Sequence, residues 1–150
     1  MAMVLIAEDD ADVCMVLKRV LTLAKFSVVT APDGATALDL TVAHHPDVVL
    51  TDLDMPGLTG LQLTEALRRH PVEQGVPILI LSGSLQRGDP RAAVAGACDV
   101  RLKPFTNRDL VAAVQHLADL GRHRHDHGSP PCPLQLRPAA PADPGAFADV

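Results

Sequence analysis

The sequence predicts an α/β fold in which one parallel sheet is covered by helices on both faces. Short runs of Val, Ile and Leu alternate with stretches of helical periodicity over most of the first 120 residues. The runs are almost continuously apolar, as expected for strands buried on both faces, and parallel strands need crossovers that are usually helical. The length of 150 residues allows one ordinary domain.

Five apolar runs are the expected strands. They are MVLIA (3–7), SVV (27–29), DVVLT (47–51), PILIL (77–81) and DVRL (99–102). The last is the weakest by pattern, but each run is followed by a segment with helical spacing.

The helices are predicted from their caps and stripes. The first follows Asp10 as N-cap and carries an apolar stripe of Val13, Val16, Leu17, Val20, Leu21 and Ala24. Asp33 caps a second helix (33–45), and Thr59 with Gln62 has the spacing of a capping box for a third that ends near His70. The remaining signals are Asp89-Pro90 for a short fourth helix and, for a fifth that Gly121 ends, the stripe Leu110, Ala113, Val114 and Leu117.

Composition excludes several classes of protein. The chain is 47% apolar and 21% charged and lacks Trp and Tyr, so aliphatic side chains must fill the core. A net charge of −5 argues against sequence-independent binding to nucleic acid. No apolar run is long enough to cross a bilayer and no signal-like segment opens the chain, so we expect a cytoplasmic protein without a membrane partner. Cys14, Cys98 and Cys132 lack paired spacing and are interpreted as reduced thiols.

The polar residues that directly follow the apolar runs are the candidate functional residues. Glu8 and Asp9 follow the first run, Asp52 the third, Ser82 the fourth and Lys103 the fifth. In an open parallel sheet the carboxyl ends of the strands share one edge, and ligands bind there. Three carboxylates at that edge repel one another unless they take up protons or a cation. Mg²⁺ suits such an edge because it binds a few carboxylates, waters and phosphate oxygens.

Asp52 is the expected nucleophile of this edge. A carboxylate at the end of a strand can attack phosphorus and form an acyl phosphate. Mg²⁺ and Lys103 would neutralise charge on the transferred group, and the Ser82 hydroxyl would hydrogen-bond it. Thr51, in the same strand, is interpreted as a packing residue. The edge therefore predicts a metal-dependent phosphoryl site.

Four motifs in this order resemble the receiver domain of two-component response regulators, of the chemotaxis-regulator type. They are VLIAEDD (4–10), PDVVLTDLDMPGLTGLQL (46–63), VPILILSGS (76–84) and RLKPF (101–105). The resemblance covers about residues 3–120. It implies a flavodoxin-like, doubly wound, five-stranded parallel sheet in the order 2-1-3-4-5 with five helices.

The resemblance also implies a role for each site residue. Asp52 would accept the phosphoryl group, and Glu8 and Asp9 would bind Mg²⁺, or Mn²⁺ in its place, directly or through water. Asp54 would add its backbone carbonyl to the metal. Ser82 would contact the phosphoryl group, and Lys103, expected to precede a cis bond to Pro104, would pair with it.

One departure from the family pattern concerns Val100. Receivers of this type commonly carry Tyr or Phe at this place, three residues before the lysine, and that ring swings inward on activation. Because Val100 is not aromatic, the ring of this switch is missing here, although the phosphorylation residues are all present. Asp54, two residues after the acceptor, is expected to tune the lifetime of the phosphate.

The implied function is that of a single-domain response regulator in a two-component phosphorelay. It would be phosphorylated on Asp52 and signal by protein contact, with only self-catalysed phosphoryl transfer and dephosphorylation rather than enzymatic turnover. A sensor histidine kinase or phosphotransfer protein would act upstream, and the downstream protein target is open. No segment after Gly121 has the pattern of a DNA-binding domain, so direct contact with nucleic acid is not expected.

Two other functions remain open at this point. The DLDMP segment (52–56) also resembles the DxD nucleophile motif of haloacid-dehalogenase-type phosphatases, although those enzymes open with that strand and end with the acidic pair. A degenerate receiver that acts as a constitutive binding module is favoured by Val100 but not by the intact acidic edge.

The last part of the chain differs in composition from the rest. Residues 122–150 hold six of the thirteen prolines, much Ala and no periodicity. We therefore expect a receiver domain at 1–121 and a disordered Pro/Ala/His-rich tail at 122–150, whose deletion leaves the fold intact. His123, His125 and His127 alternate in the tail, and we interpret them as solvated residues with at most adventitious affinity for a transition metal.

Overall fold

The predicted apolar runs form one parallel sheet in the computed structural model, which describes residues 1–83 and 90–123. The strands are β1 (Met3–Ala7), β2 (Ser27–Ala31), β3 (Val48–Asp52), β4 (Ile78–Ser82) and β5 (Asp99–Leu102). Their order across the sheet is β2-β1-β3-β4-β5. The predicted fold class and strand order are therefore confirmed.

In the described residues four helices connect the strands, and a fifth follows β5. They are α1 (Ala11–Leu23), α2 (Gly34–His44), α3 (Gly60–Arg69), α4 (Pro90–Ala95) and α5 (Asn107–Leu120). Asp10 and Asp33 cap α1 and α2 as predicted, the latter by accepting a hydrogen bond from the N–H of Thr36 at 2.7 Å. Thr59 and Gln62 form the predicted capping box of α3. The cap predicted for α4, Asp89, lies outside the described residues.

The sheet separates two apolar layers. One contains Leu17 and Leu21 of α1 and Leu110 and Val114 of α5, packed against one face of the central strands. The other contains Leu63 and Leu67 of α3 with Val49, Ile80 and Val100 on the opposite face. The strands β3 and β4 are buried along their whole length. Close packing therefore holds the side chains at the ends of these strands in nearly fixed positions.

The core-facing side of α1 is narrower than the predicted stripe. Leu17 and Leu21 are buried, but the side chains of Val13 and Val16 are 36% and 57% exposed. Burial is centred on the two leucines, and Val16 lies at the edge of the arc that the six residues span. The predicted stripe is therefore only partly buried, with its buried part at Leu17 and Leu21.

The strand register sets the position of the functional edge. Ala7 pairs with Thr51, Asp52 with Leu81, and Ser82 with Leu102. The carboxyl ends of four strands are thus level, and the residues that follow them share one edge of the sheet.

Among the described helices, none combines the length and the apolarity that a transmembrane segment requires.

A short segment after α5 packs against the opposite edge, where the strands begin. We call residues 121–123 the C-terminal clasp. Arg122 Nη2 lies 3.0 Å from Glu73 Oε2 and donates to the carbonyl of Pro46 at 3.2 Å. The Glu73 side chain is fully buried, and its other oxygen contacts His45 Nδ1. The boundary at Gly121 stays a prediction, but the first residues of the predicted tail contact the domain.

The clasp makes stability depend on where the chain is cut. A chain truncated after residue 123 should unfold like the full chain, whereas truncation after residue 121, or Arg122→Ala, should lower the free energy of unfolding by about 2 kcal/mol. The loss stays below the roughly 3 to 5 kcal/mol typical of a broken buried pair because His45 still contacts Glu73. Urea unfolding measures it, with Arg19→Ala on the exposed side of α1 as control. Equal stability of Arg122→Ala and Arg19→Ala would contradict the prediction.

Candidate functional site

Three predicted carboxylates meet at the carboxyl edge of the sheet. One oxygen from each of Glu8, Asp9 and Asp52 lies within 4.8 Å of the others, which is close enough to share one cation. Glu8 and Asp52 are buried at 4% and 7% exposure, whereas Asp9 is exposed. Glu8 and Asp52 therefore form the buried, fixed part of the cluster at two strand ends. The side of the cluster at Asp9 is open to solvent.

Lys103 joins the carboxylates from the end of β5. Its Nζ lies 2.9 Å from Asp52 Oδ1, across 51 residues of sequence. Partial burial alone would lower the pKa of Lys103, but its hydrogen bond to Asp52 and the charges of Asp52, Glu8 and Asp54 outweigh burial and raise it. The ammonium group therefore stays charged beside the acceptor carboxylate, and the cis bond between Lys103 and Pro104 is present as expected.

Glu8 is the least satisfied member of the cluster. Its Oε1 accepts a hydrogen bond from the Asp10 N–H at 3.2 Å, but its buried Oε2 has no hydrogen-bond partner in the described part of the chain. Burial raises the pKa of Glu8 from 4.5 to about 7; the Asp10 N–H and Lys103 oppose this rise, and the Asp52 charge adds to it. A buried carboxylate oxygen without a partner fits a hard cation such as Mg²⁺, which prefers oxygen ligands.

The loop after β3 holds Asp52 in place. The backbone of Gly60 at the start of α3 comes so close that a Cβ atom there would lie 2.5 Å from the Asp52 carbonyl oxygen. Leu53 N–H donates to the Leu81 carbonyl at 3.0 Å, which extends the β3–β4 pairing past the acceptor. Thr51 is buried, as its interpretation as a packing residue requires.

The other predicted site residues take different positions. Ser82 is buried at the end of β4, one residue beyond the strand partner of Asp52. Asp54 is exposed and contributes to the electrostatic environment of Lys103; its part in metal binding stays a prediction. Val100 is 2% exposed and packs in the apolar layer, so a small buried side chain occupies the place of the family's aromatic residue.

Comparison with known proteins agrees with this geometry. The model of the response regulator receiver domain family matches residues 4–115. The transcriptional regulatory protein PrrA of Mycobacterium tuberculosis is 41% identical over 115 residues, which are 76% of this chain and 48% of PrrA. The response regulator ArlR of Staphylococcus aureus is 31% identical over 116 residues, covering 77% of this chain and 52% of ArlR. The chain thus spans about half the length of these curated relatives.

Solved structures share the fold over nearly their whole length. The chemotaxis response regulator CheY4 of Vibrio cholerae superposes with a TM-score of 0.74 at 29% identity, covering 78% of this chain and 98% of CheY4. A putative response regulator from Chloroflexus aurantiacus gives 0.74 at 32% identity, with 79% and 98% covered. These matches, with the acidic pair preceding the Asp52 strand, favour a receiver over a haloacid-dehalogenase-type phosphatase.

The raised pKa of Glu8 makes the stability of the metal-free protein depend on pH. Between about 4.5 and 7 the unfolded chain has lost the Glu8 proton while the folded protein keeps it. The free energy of unfolding should therefore fall as pH rises through this window, and the Glu8 contribution should be constant on either side. We expect Glu8→Gln to remove this part of the slope, measured by urea unfolding in EDTA.

The control for this effect is Glu65→Gln, which changes an exposed glutamate on α3. It should keep the slope of the wild-type protein. Added Mg²⁺ should stabilise the wild type most above pH 7, where Glu8 is ionised and ready to bind the cation. Identical slopes for the wild type and Glu8→Gln in EDTA would contradict the assignment.

Proposed function

Because the chain belongs to the response regulator receiver domain family, we propose that Asp52 accepts a phosphoryl group in a Mg²⁺-dependent reaction. Members of this family are phosphoacceptor domains of two-component signalling rather than turnover enzymes. The observation that carries the proposal is the cluster of Glu8, Asp9 and Asp52 within 4.8 Å, with Lys103 Nζ 2.9 Å from Asp52. This constellation supports an anionic ligand on Asp52 and a cation beside it.

The site residues would have two kinds of role, binding of the metal ion and neutralisation of charge on the phosphoryl group. Glu8, Asp9 and Asp52 would hold Mg²⁺, with the carbonyl of Asp54, and the bound ion would neutralise charge on the phosphoryl oxygens. Asp52 supplies the attacking oxygen, which bonds to phosphorus as the bond from phosphorus to the donor's leaving group breaks. Lys103 balances negative charge on the transferred group, and the Ser82 hydroxyl hydrogen-bonds one of its oxygens.

The output of the domain would be protein contact. A sensor histidine kinase or phosphotransfer protein would supply the phosphoryl group, as partners of receiver domains do. Phosphorylation adds charge and three acceptor oxygens at the carboxyl edge, and a change of this kind reorders neighbouring loops. The proposed output is contact with an unidentified protein target; the relative PrrA is a transcriptional regulatory protein.

Phosphorylation of the isolated protein tests the assignment of Asp52. Incubation with Mg²⁺ and acetyl phosphate should increase the mass of the intact protein by one phosphoryl group. Asp52→Asn should abolish the increase, because the amide is a poor nucleophile, and EDTA should suppress it. Asp39→Asn, which changes an exposed carboxylate on α2, should behave like the wild type. No mass increase with acetyl phosphate or a kinase would favour a degenerate receiver.

Asp54 provides a second test, of phosphate lifetime. Its exposed carboxylate, two residues after the acceptor, can accept a hydrogen bond from the water that attacks the acyl phosphate. Asp54→Asn should therefore slow dephosphorylation by roughly a factor of ten. Loss of the added mass over time after removal of the phosphodonor measures the rate, and an unchanged rate would exclude this role.

A further inference from the structure

The loop between β3 and α3 lies at the carboxyl edge and is closed by a hydrogen bond between its ends. It comprises residues 53–59, and we call it the acceptor loop because it follows the acceptor carboxylate. The carbonyl of Leu53 accepts a hydrogen bond from the N–H of Gly60 at 2.8 Å. The side chains of Leu53 and Met55 are buried in the apolar layer on the α3 side of the sheet. Asp54, whose carbonyl would bind the metal in the proposed function, lies between these two anchored residues.

The start of α2 packs tightly against the acceptor loop at Leu58. Gly34 is the first residue of α2 and is buried. A Cβ atom at position 34 would lie 2.5 Å from the Leu58 Cβ and 2.7 Å from the Leu58 carbonyl oxygen. Both distances are shorter than van der Waals contact, so only a residue without a side chain allows this approach. The φ angle of Gly34 lies outside the left-handed region, so space rather than backbone conformation requires glycine here.

The surroundings of Leu58 determine which part of the acceptor loop can move. The Asp33 side chain fixes the start of α2 by accepting a backbone hydrogen bond at 2.7 Å, and the capping box fixes the first turn of α3. By contrast, Asp54, Pro56 and Gly57 are exposed, and nothing lies within 4 Å of a Cβ built on Gly57. A side chain that pushed on Leu58 would therefore displace the exposed middle of the acceptor loop, which includes Asp54.

We propose that Gly34 is a positioning residue for the metal site. Its lack of a side chain lets α2 hold Leu58 where the acceptor loop brings the Asp54 carbonyl to the ion. This inference rests on the proposed function, because it takes that carbonyl as a ligand of Mg²⁺. Mg²⁺ demands near-ideal octahedral geometry, so displacement of one ligand weakens its binding. Groups that support metal ligands from outside typically contribute about 10- to 100-fold in affinity.

A purely structural role of Gly34 predicts a different result. Crowding alone would lower the stability of Gly34→Ala and leave its affinity for metal unchanged. Helix propensity acts in the opposite direction, because alanine favours a helix more than glycine does. Metal affinity is therefore the measurement that separates the positioning role from both effects.

Metal binding to the full chain tests the proposal, with Mn²⁺ as the probe and its electron paramagnetic resonance signal as the measure of free ion. The wild type should bind Mn²⁺, and Asp52→Asn should weaken this binding, because the ion lies at the acidic edge. Gly34→Ala should raise the dissociation constant about tenfold. The matched control is Gly75→Ala, in which the new Cβ would lie 2.8 Å from the His123 carbonyl oxygen, at the opposite edge. It should lose stability and keep the Mn²⁺ affinity of the wild type.

Phosphorylation by acetyl phosphate gives a second readout. In Gly34→Ala the Mg²⁺ concentration that gives the half-maximal rate should rise about tenfold, in proportion to the loss of affinity. The rate at saturating Mg²⁺ should stay close to that of the wild type, because Asp52 and Lys103 keep their positions. A rate that falls equally at all Mg²⁺ concentrations would contradict a role in metal binding.

Leu58→Ala probes the same contact from the acceptor loop and serves in place of Gly34→Ala if circular dichroism shows that variant to be unfolded. It should bind Mn²⁺ several-fold more weakly than the wild type, whereas Leu40→Ala, which truncates another half-buried leucine, should not. Equal Mn²⁺ affinities of Gly34→Ala, Leu58→Ala and their controls would overturn the positioning role and leave the proposed function standing. Absence of Mn²⁺ binding by the wild type, or equal binding by Asp52→Asn, would overturn the proposed function and this inference with it.

Discussion

Repulsion among the carboxylates of Glu8, Asp9 and Asp52 is the constraint on which the function of this domain depends. Glu8 directly follows the buried strand β1 and Asp52 ends the buried strand β3, so the two groups cannot move apart without disturbing the core. Lys103 Nζ at 2.9 Å from Asp52 offsets part of the repulsion, and burial raises the pKa of Glu8 to about 7, so that below this pH Glu8 keeps a proton. In the proposed function a cation at the cluster would take the place of that proton, and metal binding, charge and phosphoryl chemistry would then be linked at one edge.

Most of the fold and the outline of the site could be predicted because they depend on local patterns. Strands buried on both faces appear as continuous apolar runs, and the N-caps of α2 and α3 are Asp33 and Thr59, residue types whose side chains accept hydrogen bonds at the start of a helix. The site followed from one geometric rule, that the carboxyl ends of parallel strands share an edge. That rule placed Lys103 beside Asp52 although 51 residues separate them.

What could not be predicted depends on contacts between distant side chains. The burial of Glu73 and its pairing with Arg122 across 49 residues leave no periodic signal in the sequence. Neither does the approach of His123 to Cys98. The exposure of Val16 depends on how α1 is rotated against the sheet, which an apolar stripe fixes only approximately. The unpartnered oxygen of Glu8 depends on which groups surround the end of β1, and the sequence does not reveal those neighbours.

The domain thus has different chemistry at its two edges, with hard oxygen ligands at the carboxyl edge and the buried Glu73 and Cys98 under the clasp at the amino edge. The central claim is that the strand-end carboxylates share one cation. Anomalous diffraction from crystals grown with Mn²⁺ tests it most directly, because Mn²⁺ scatters anomalously and binds the same oxygen ligands as Mg²⁺. We expect one strong peak at this edge, bounded by Glu8, Asp9 and Asp52. A metal bound elsewhere, with these three carboxylates still clustered and uncoordinated, would contradict the account.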